Sequence, residues 1–370
     1  MGANWREIAR ELGERMADGR LNPGERLPTE FVLAEEFGVS RGTIHRALSE
    51  LKGRGLLVRQ RRNGTVVTTP EAIRLAGENR VGDNRTGRVA LIVEHAHDFP
   101  QTELLHGIQS ALPDASGVLL FDVGGAAEIE AEQIRRAVAS TDGLLIYPTC
   151  DPANTALLRE VARTGFPVVM LDRMPEGLEL DAVLSDNYEV TRAALDPLLV
   201  KGHRRVAFLS GDNPQVSSVQ ERHRAYRDAL GEAYDPALER WFAKELERKP
   251  TRLDRAMEDA LFTMLLRPEP PTLLFCVQDL YAASASEALD ALGIAHRPEI
   301  LTFNDWPPMM LRDAGRFHRI VQRPHEIGRA ATERLLARLE GEAPDPLRVA
   351  VRAEIHPATR PLRPSLSRSA

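Results

Sequence analysis

GVSRGTIHRAL, Gly38 to Leu48, decides how the N-terminal part of this chain is read. Gly38 suits a sharp turn and Ser40 a helix N-cap, while Ile44, Ala47, Leu48 and Leu51 recur at i, i+3, i+4 and i+7. Those four are the expected core of an amphipathic helix. Arg41, His45, Ser49 and Lys52 share the opposite face, with Thr43 and Arg46 on its flanks. The question is whether that wet face reads DNA or is only solvated.

The flanking sequence bears on the answer. Trp5, Ile8, Ala9, Leu12 and Met16 predict a first helix over residues 4 to 18, ended by Gly19. Asn-Pro-Gly and a second proline in GRLNPGERLP prevent its continuation. Thr29 can cap a second helix through Phe31, Leu33 and Ala34 to Phe37. Two helices around a short glycine-containing turn, the second polar in its N-terminal half, match the geometry of a helix-turn-helix. LLVR and TVVT then read as strands around QRRNG, a basic-tipped hairpin, so residues 1 to 69 are expected to form an α+β winged helix-turn-helix.

Charge agrees once it is divided by region. The chain carries a net charge of -6, yet residues 1 to 69 hold twelve Lys and Arg against nine Asp and Glu. Arg41, Arg46, Lys52, Arg54, Arg59, Arg61 and Arg62 fall within 22 positions that contain one acid, Glu50. Such a cluster suits phosphates.

GRLNPGERLPTE, LAEEFGVSRGTIHRALSELKGRGLL and NGTVV together resemble the DNA-binding domain of GntR-type bacterial transcription regulators, over about the first 68 residues. The resemblance implies double-stranded operator DNA as partner. It places Thr29, Glu30, Ser40, Arg41, Thr43, His45 and Arg46 at or near phosphates and base edges, and the wing residues Arg61, Arg62, Asn63 and Gly64 toward the minor groove. Two positions depart from the pattern: His45 stands where many relatives have Arg, and Arg62 where a glycine is common.

Residues 70 to 87 are polar, rich in Gly and Asn, and read as a linker. RVALIV, GVLLFDV, GLLIYP, PVVMLD, RVAFLSG, TLLFCV and EILTFND follow as strands expected to be buried on both faces, alternating with helical stretches. This alternation predicts an α/β body with parallel sheets, long enough for two lobes. Tyr147, Asp172, Asp212, Gln278, Asp279, Asn304 and Asp305 fall at strand carboxyl ends, where ligands collect in such sheets. Each alone also suits a helix cap or a turn.

From residue 88 to about 355 the order of motifs is similar to the effector domain of LacI/GalR-type regulators, itself similar to periplasmic sugar-binding proteins; GHRRVAFLSG and RIVQRPHEIG carry it most specifically. The implied architecture is a two-lobed domain over 88 to 358 and an unstructured tail over 359 to 370. The implied function is a homodimeric repressor of carbohydrate-utilisation genes, released from a palindromic operator by a mono- or disaccharide bound between the lobes. Ser218 and Arg222 would contact the sugar from one lobe, Gln278 and Asp305 from the other, with Tyr147, Asp172, Asp186 and Gln322 nearby. Trp306 is the aromatic expected to cover the ring face. Gln278 in place of Asn, and FNDW in place of the usual run, depart from that family.

The rival readings keep the regulator with a nucleoside, purine or co-repressor ligand, or make the body a sugar-processing enzyme. No nucleophile elbow, P-loop, paired CxxC or HExxH is present, so no catalysis, cofactor or metal is expected. His95 and His97, beside Asp98, are the nearest metal-like group. Cys150 and Cys276 are expected as buried thiols. With no secretory signal and no apolar run long enough to span a bilayer, a cytoplasmic location without membrane contact is expected.

Overall fold

A computed structural model describes residues 4–17, 20–22, 24–53, 56–60, 64–67, 85–243, 246, 250–294, 297–304, 314–342 and 345–360. The N-terminal head is built from α1 (Trp5–Ala17), α2 (Glu30–Phe37), α3 (Arg41–Gly53), β1 (Leu57–Gln60) and β2 (Gly64–Val67). Ile8, Leu12, Leu33, Ile44, Ala47, Leu48 and Leu51 are each at most 2% exposed and share one core. At about 1.5–3 kcal/mol for each large apolar side chain removed from water, this stripe is what fixes α3 on α1 and α2. β1 and β2 pair antiparallel. Gly24 and Leu27 donate to the Val67 and Thr65 carbonyls at 3.0 and 2.9 Å, adding the GRLNPGERLP segment to the sheet as an edge that the sequence reading did not contain.

Beyond the head the strands fall in two sheets. The first contains β3 (Arg88–Val93), β4 (Gly117–Asp122), β5 (Gly143–Ile146), β6 (Val168–Leu171), β7 (Asp181–Ser185) and β13 (Arg348–Val351), in the order β13-β7-β6-β5-β3-β4. The second contains β8 (Val206–Gly211), β9 (Glu239–Phe242), β10 (Leu273–Cys276), β11 (Glu299–Asn304), β12 (Phe317–Val321) and β14 (Glu354–His356), in the order β14-β12-β11-β10-β8-β9. Helices α4 (Phe99–Ala111), α5 (Ala127–Ser140), α6 (Pro152–Arg163), α7 (Asn187–Val200), α8 (Ser217–Leu230), α9 (Pro250–Leu265), α10 (Asp279–Ala291) and α11 (Pro324–Glu340) alternate with the strands. The pairs from β3 to β7 and from β8 to β12 are parallel, as expected.

Two expectations need correction, and the path of the chain adds a feature that they did not contain. GVLLFDV is not buried on both faces: β4 is the edge of its sheet, and Leu120 is 42% exposed. The second sheet is not wholly parallel, because β14 returns antiparallel to β12. The chain also does not finish one unit before starting the next. Its compact units are Met1–Val183 with Gly328–Arg348, and Leu184–Ile327 with Val349–Ala370, so it passes between them within β7, α11 and β13.

Candidate functional site

In the head, local chemistry sets the turn. Thr29 caps α2 by accepting from the Val32 amide at 3.4 Å; Gly38 ends α2 in the left-handed region, at φ 62°. Ser40 Oγ then accepts from the Thr43 amide at 3.2 Å and lies 2.9 Å from the Thr43 hydroxyl. Both caps make α3 start abruptly, with its first turn outward. Arg41 and His45 are 70% and 66% exposed there. Glu30 lies beside them, its carboxylate 3.0 Å from His45 Nδ1 and 3.9 Å from Arg41. The hydrogen bond from His45 holds Glu30 below the usual carboxylate range, against burial.

Arg46 is occupied differently, its guanidinium lying 4.7 Å from the centre of the Trp5 ring. Arg61, Arg62 and Asn63 lie outside the described residues. Gly64 has φ 77°, and a Cβ there would come within 3.3 Å of Arg26 Nε. The wing therefore carries Arg26 beside it, a cation missed because it sits in the turn segment, 38 residues before Gly64.

In the first unit the carboxyl ends of β3, β5 and β6 converge on one buried arginine. Arg173 pairs with Glu94 at 2.9 Å, donates to the Pro148 carbonyl at 3.4 Å and lies 4.2 Å from the centre of the Tyr147 ring. Its Nε is buried without a hydrogen-bond partner among the described residues. Burial opposes its charge, but Tyr147, Glu94, Cys150 and Asp172 outweigh it and raise the pKa. The Tyr147 hydroxyl donates to Asp172 at 3.5 Å. Cys150 and Asp172, at φ 62° and 57°, are the non-glycine residues of positive φ among those described, and they follow adjacent strands. Strain of this kind persists where surrounding contacts over-determine it. The residue before Cys150 is held by the buried Glu130, whose carboxylate accepts from the Thr149 amide at 2.7 Å, the Thr149 hydroxyl at 2.6 Å and Asn154 at 2.6 Å. Sequence reading named Tyr147 and Asp172 but missed Glu94, Glu130 and Arg173; the Arg that ends VVMLDR was the available signal.

In the second unit Arg222 occupies the corresponding role. It is 3% exposed, donates to Asn187 Oδ1 and the Val277 carbonyl, both at 2.9 Å, and its Cζ lies 3.6 Å from the centre of the Phe303 ring. Ser218 is buried on the same helix, one turn earlier. Gln278 is the half-buried N-cap of α10, and Gln322 donates to Ser185 Oγ at 2.6 Å. Asp186 accepts from the Ala353 amide at 2.8 Å, and burial raises its pKa against that bond. Asp305 and Trp306 lie outside the described residues. Among the described residues no group of three or more His, Cys, Asp or Glu is placed to hold a metal ion, and Cys150 and Cys276 are buried thiols outside any disulfide. No helix among them is long and apolar enough to cross a membrane.

A capped helix with an outward cationic face and a wing, carried on a two-sheet α/β body with polar strand ends, defines the class: a DNA-binding transcriptional regulator with a small-molecule-binding type of body. Comparison with known proteins agrees. The model of bacterial regulatory proteins of the gntR family matches residues 4–67, and that of the periplasmic binding protein domain matches residues 82–343. The chain belongs to the family of proteins built on the periplasmic binding protein domain, here with a gntR-family helix-turn-helix head. It is 23% identical to the arabinose metabolism transcriptional repressor of Geobacillus stearothermophilus over 348 residues, 92% of each chain. It is 30% identical to the HTH-type transcriptional regulator PtxS of Pseudomonas aeruginosa over 289 residues, 74% of this chain and 79% of that one. Among solved structures, a complex of the transcriptional regulator CelR with cellobiose aligns at a TM-score of 0.61 and 23% identity, covering 90% of this chain and 99% of that one.

Proposed function

We propose that the protein represses carbohydrate-utilisation genes as a cytoplasmic homodimer, and that a mono- or disaccharide effector releases it from a palindromic operator. Residues 1–69 bind the operator, through Thr29, Glu30, Ser40, Arg41, Thr43, His45, Arg46 and the wing. Residues 88–358 bind the effector, through Tyr147, Asp172, Asp186, Ser218, Arg222, Gln278, Asp305, Trp306 and Gln322, to which Glu94 and Arg173 are added.

The observation that carries the reading is the division of α3: one side is wholly in the core, and the other holds Arg41 and His45 in solvent immediately after a doubly capped turn. That is the part of a recognition helix that meets base edges. The effector assignment is supported by two buried arginines at strand carboxyl ends, each stacked on an aromatic ring, which suit hydroxyl-rich ligands. The arabinose repressor and the cellobiose complex support a sugar over other ligands. Two heads on one dimer need half-sites of matching spacing, so an effector that alters their spacing lowers affinity; couplings of about 1–3 kcal/mol, or roughly 5–150-fold, are usual.

The test has two parts. Fluorescence anisotropy at physiological salt should show preference for a palindrome near the protein's own gene over random DNA. A thermal-shift panel of sugars and nucleosides should then yield a sugar that raises the melting temperature and releases that DNA. No preference for the palindrome rejects the operator assignment. A nucleoside hit rejects the sugar, a ligand that tightens DNA binding rejects the sign, and turnover of the sugar would make the body an enzyme.

A further inference from the structure

The carboxyl ends of the first sheet hold the Arg173 set. The amino ends of β6 and β7 border a cavity of about 680 Å3 that the proposed function leaves unused. Its arginines come from three separate segments: Arg159 and Arg163 from the end of α6, Arg338 from α11, and Arg348 from β13.

The acids in the same wall are Glu179 and Asp181. Asp181 is already committed, accepting from Arg334 Nε at 2.7 Å, Arg338 Nε at 2.5 Å and the Leu347 amide at 2.7 Å. Arg159 and Arg348 are held by neutral groups instead, each donating to a backbone carbonyl, Gly177 and Leu178, at 2.9 Å. Such a bond fixes the guanidinium plane but leaves its charge uncompensated and further N–H donors available. Arg163 is exposed and has no ion pair among the described residues. Three cations against one exposed carboxylate, Glu179, favour an oxyanion bearing more than one charge. Pro167, Leu180 and Pro346 give the cavity an apolar side for an organic body, and its volume is that of a small-molecule site.

We propose that this cavity is a second, anion-selective site that takes a small phosphate ester. α11 connects it to the root of the linker. Arg85 donates to the carbonyl of Leu339, the residue after Arg338, and the amides of Thr86, Gly87 and Arg88 converge on the Asp142 carboxylate at 2.8, 2.8 and 3.3 Å. A ligand that draws on Arg338 therefore acts on the helix end that anchors the chain leading to the head. That regulatory consequence rests on the regulator reading; the binding does not.

Calorimetry on the full chain tests it, with glucose 6-phosphate, inorganic phosphate and sulfate as probes. Glucose 6-phosphate is expected to bind, to weaken by about tenfold or more in R163E and in R348E, and to persist in R222M. Both substituted positions are exposed, and unchanged melting curves would show that the fold is intact. Heat from neither phosphate probe, unchanged affinity in both variants, or loss in R222M alone overturns the proposal. An equal response to sulfate means an adventitious ion only and also overturns it. Slower amide exchange at Thr86 to Arg88 on adding glucose 6-phosphate is the result expected for coupling to the linker; unchanged exchange despite binding rejects that coupling.

Discussion

Glu30 Oε1 lies 3.0 Å from His45 Nδ1, tying the first residue of α2 to the outward face of α3. The bond lowers the pKa of Glu30. A carboxyl depressed in the folded state contributes stability that is present above its unfolded pKa and is lost as pH falls through the folded one. Exchange protection across α2 and α3 should therefore decline on the acid side of the carboxylate range in the wild type. E30Q should show lower protection at neutral pH and no such decline. With His45 66% exposed, the effect is expected to be small, about 0.2–1 kcal/mol. Parallel profiles for the two proteins would remove Glu30 from the stability of the head.

The same pair limits what His45 offers to DNA, because one ring nitrogen faces Glu30. H45R should change base preference at a single operator position, since a two-point Arg contact to guanine discriminates by about 1–3 kcal/mol. Selection from a randomised operator library reads this directly, and an unchanged consensus places residue 45 outside the readout. R41A, if Arg41 serves phosphate, should weaken binding to all sequences alike and reduce the salt slope by about one.

Arg222 joins three elements of the second unit through Asn187, Val277 and Phe303. R222M keeps the apolar stem but strands two buried acceptors, at about 1–3 kcal/mol each when unpaired. R222K restores the charge without the planar fork that reaches both. Both variants should lower the urea midpoint, and both should abolish the sugar-dependent thermal shift. A retained shift in R222K would mean that charge alone serves the effector.

How much of this was legible depended on the range of the interactions. The head is coded locally: Thr29, Gly38 and Ser40 each act within four residues, and the Ile44 to Leu51 stripe has one period. Strand and helix alternation was equally plain for β3, β5, β6, β8, β10 and β11. The last strands were not, because β13 and β14 join sheets whose other members lie far upstream. Asp181 shows why: its partners Arg334 and Arg338 are 153 and 157 residues away. Burial of Arg173 was invisible for a related reason, since an LDR triplet looks the same whether its Arg is solvated or enclosed by Glu94 and Tyr147.

Gly328 carries a requirement that sequence alone does not reveal. A Cβ at this position would lie 2.2 Å from the Leu104 carbonyl oxygen and 3.2 Å from the Ile108 amide nitrogen. Both obstacles are backbone of α4, so neither can rotate away. G328A should destabilise the first unit by at least the 1–3 kcal/mol typical of overpacking, despite the better helix propensity of Ala. Urea denaturation followed by circular dichroism measures it. A neutral or stabilising effect would show that α11 can move off α4 at little cost.

Glu130 provides a test of the strained loop, because it holds the segment carrying Tyr147 and Cys150 without belonging to the effector set. Its two oxygens accept from three donors on Thr149 and Asn154. Glutamine has nearly the same shape but offers one acceptor oxygen, and its amide N–H2 must face a donor. E130Q is therefore expected to cost about 1–3 kcal/mol, although it removes a buried carboxyl whose pKa burial pushes up. If Glu130 also maintains the positive φ of Cys150, loosening the loop should misplace Tyr147 and weaken sugar binding well below the melting temperature. Loss of stability with unchanged sugar affinity would leave Glu130 a purely structural residue. Loss of both, with no contact between Glu130 and the ligand, would establish that the loop's strain is part of recognition.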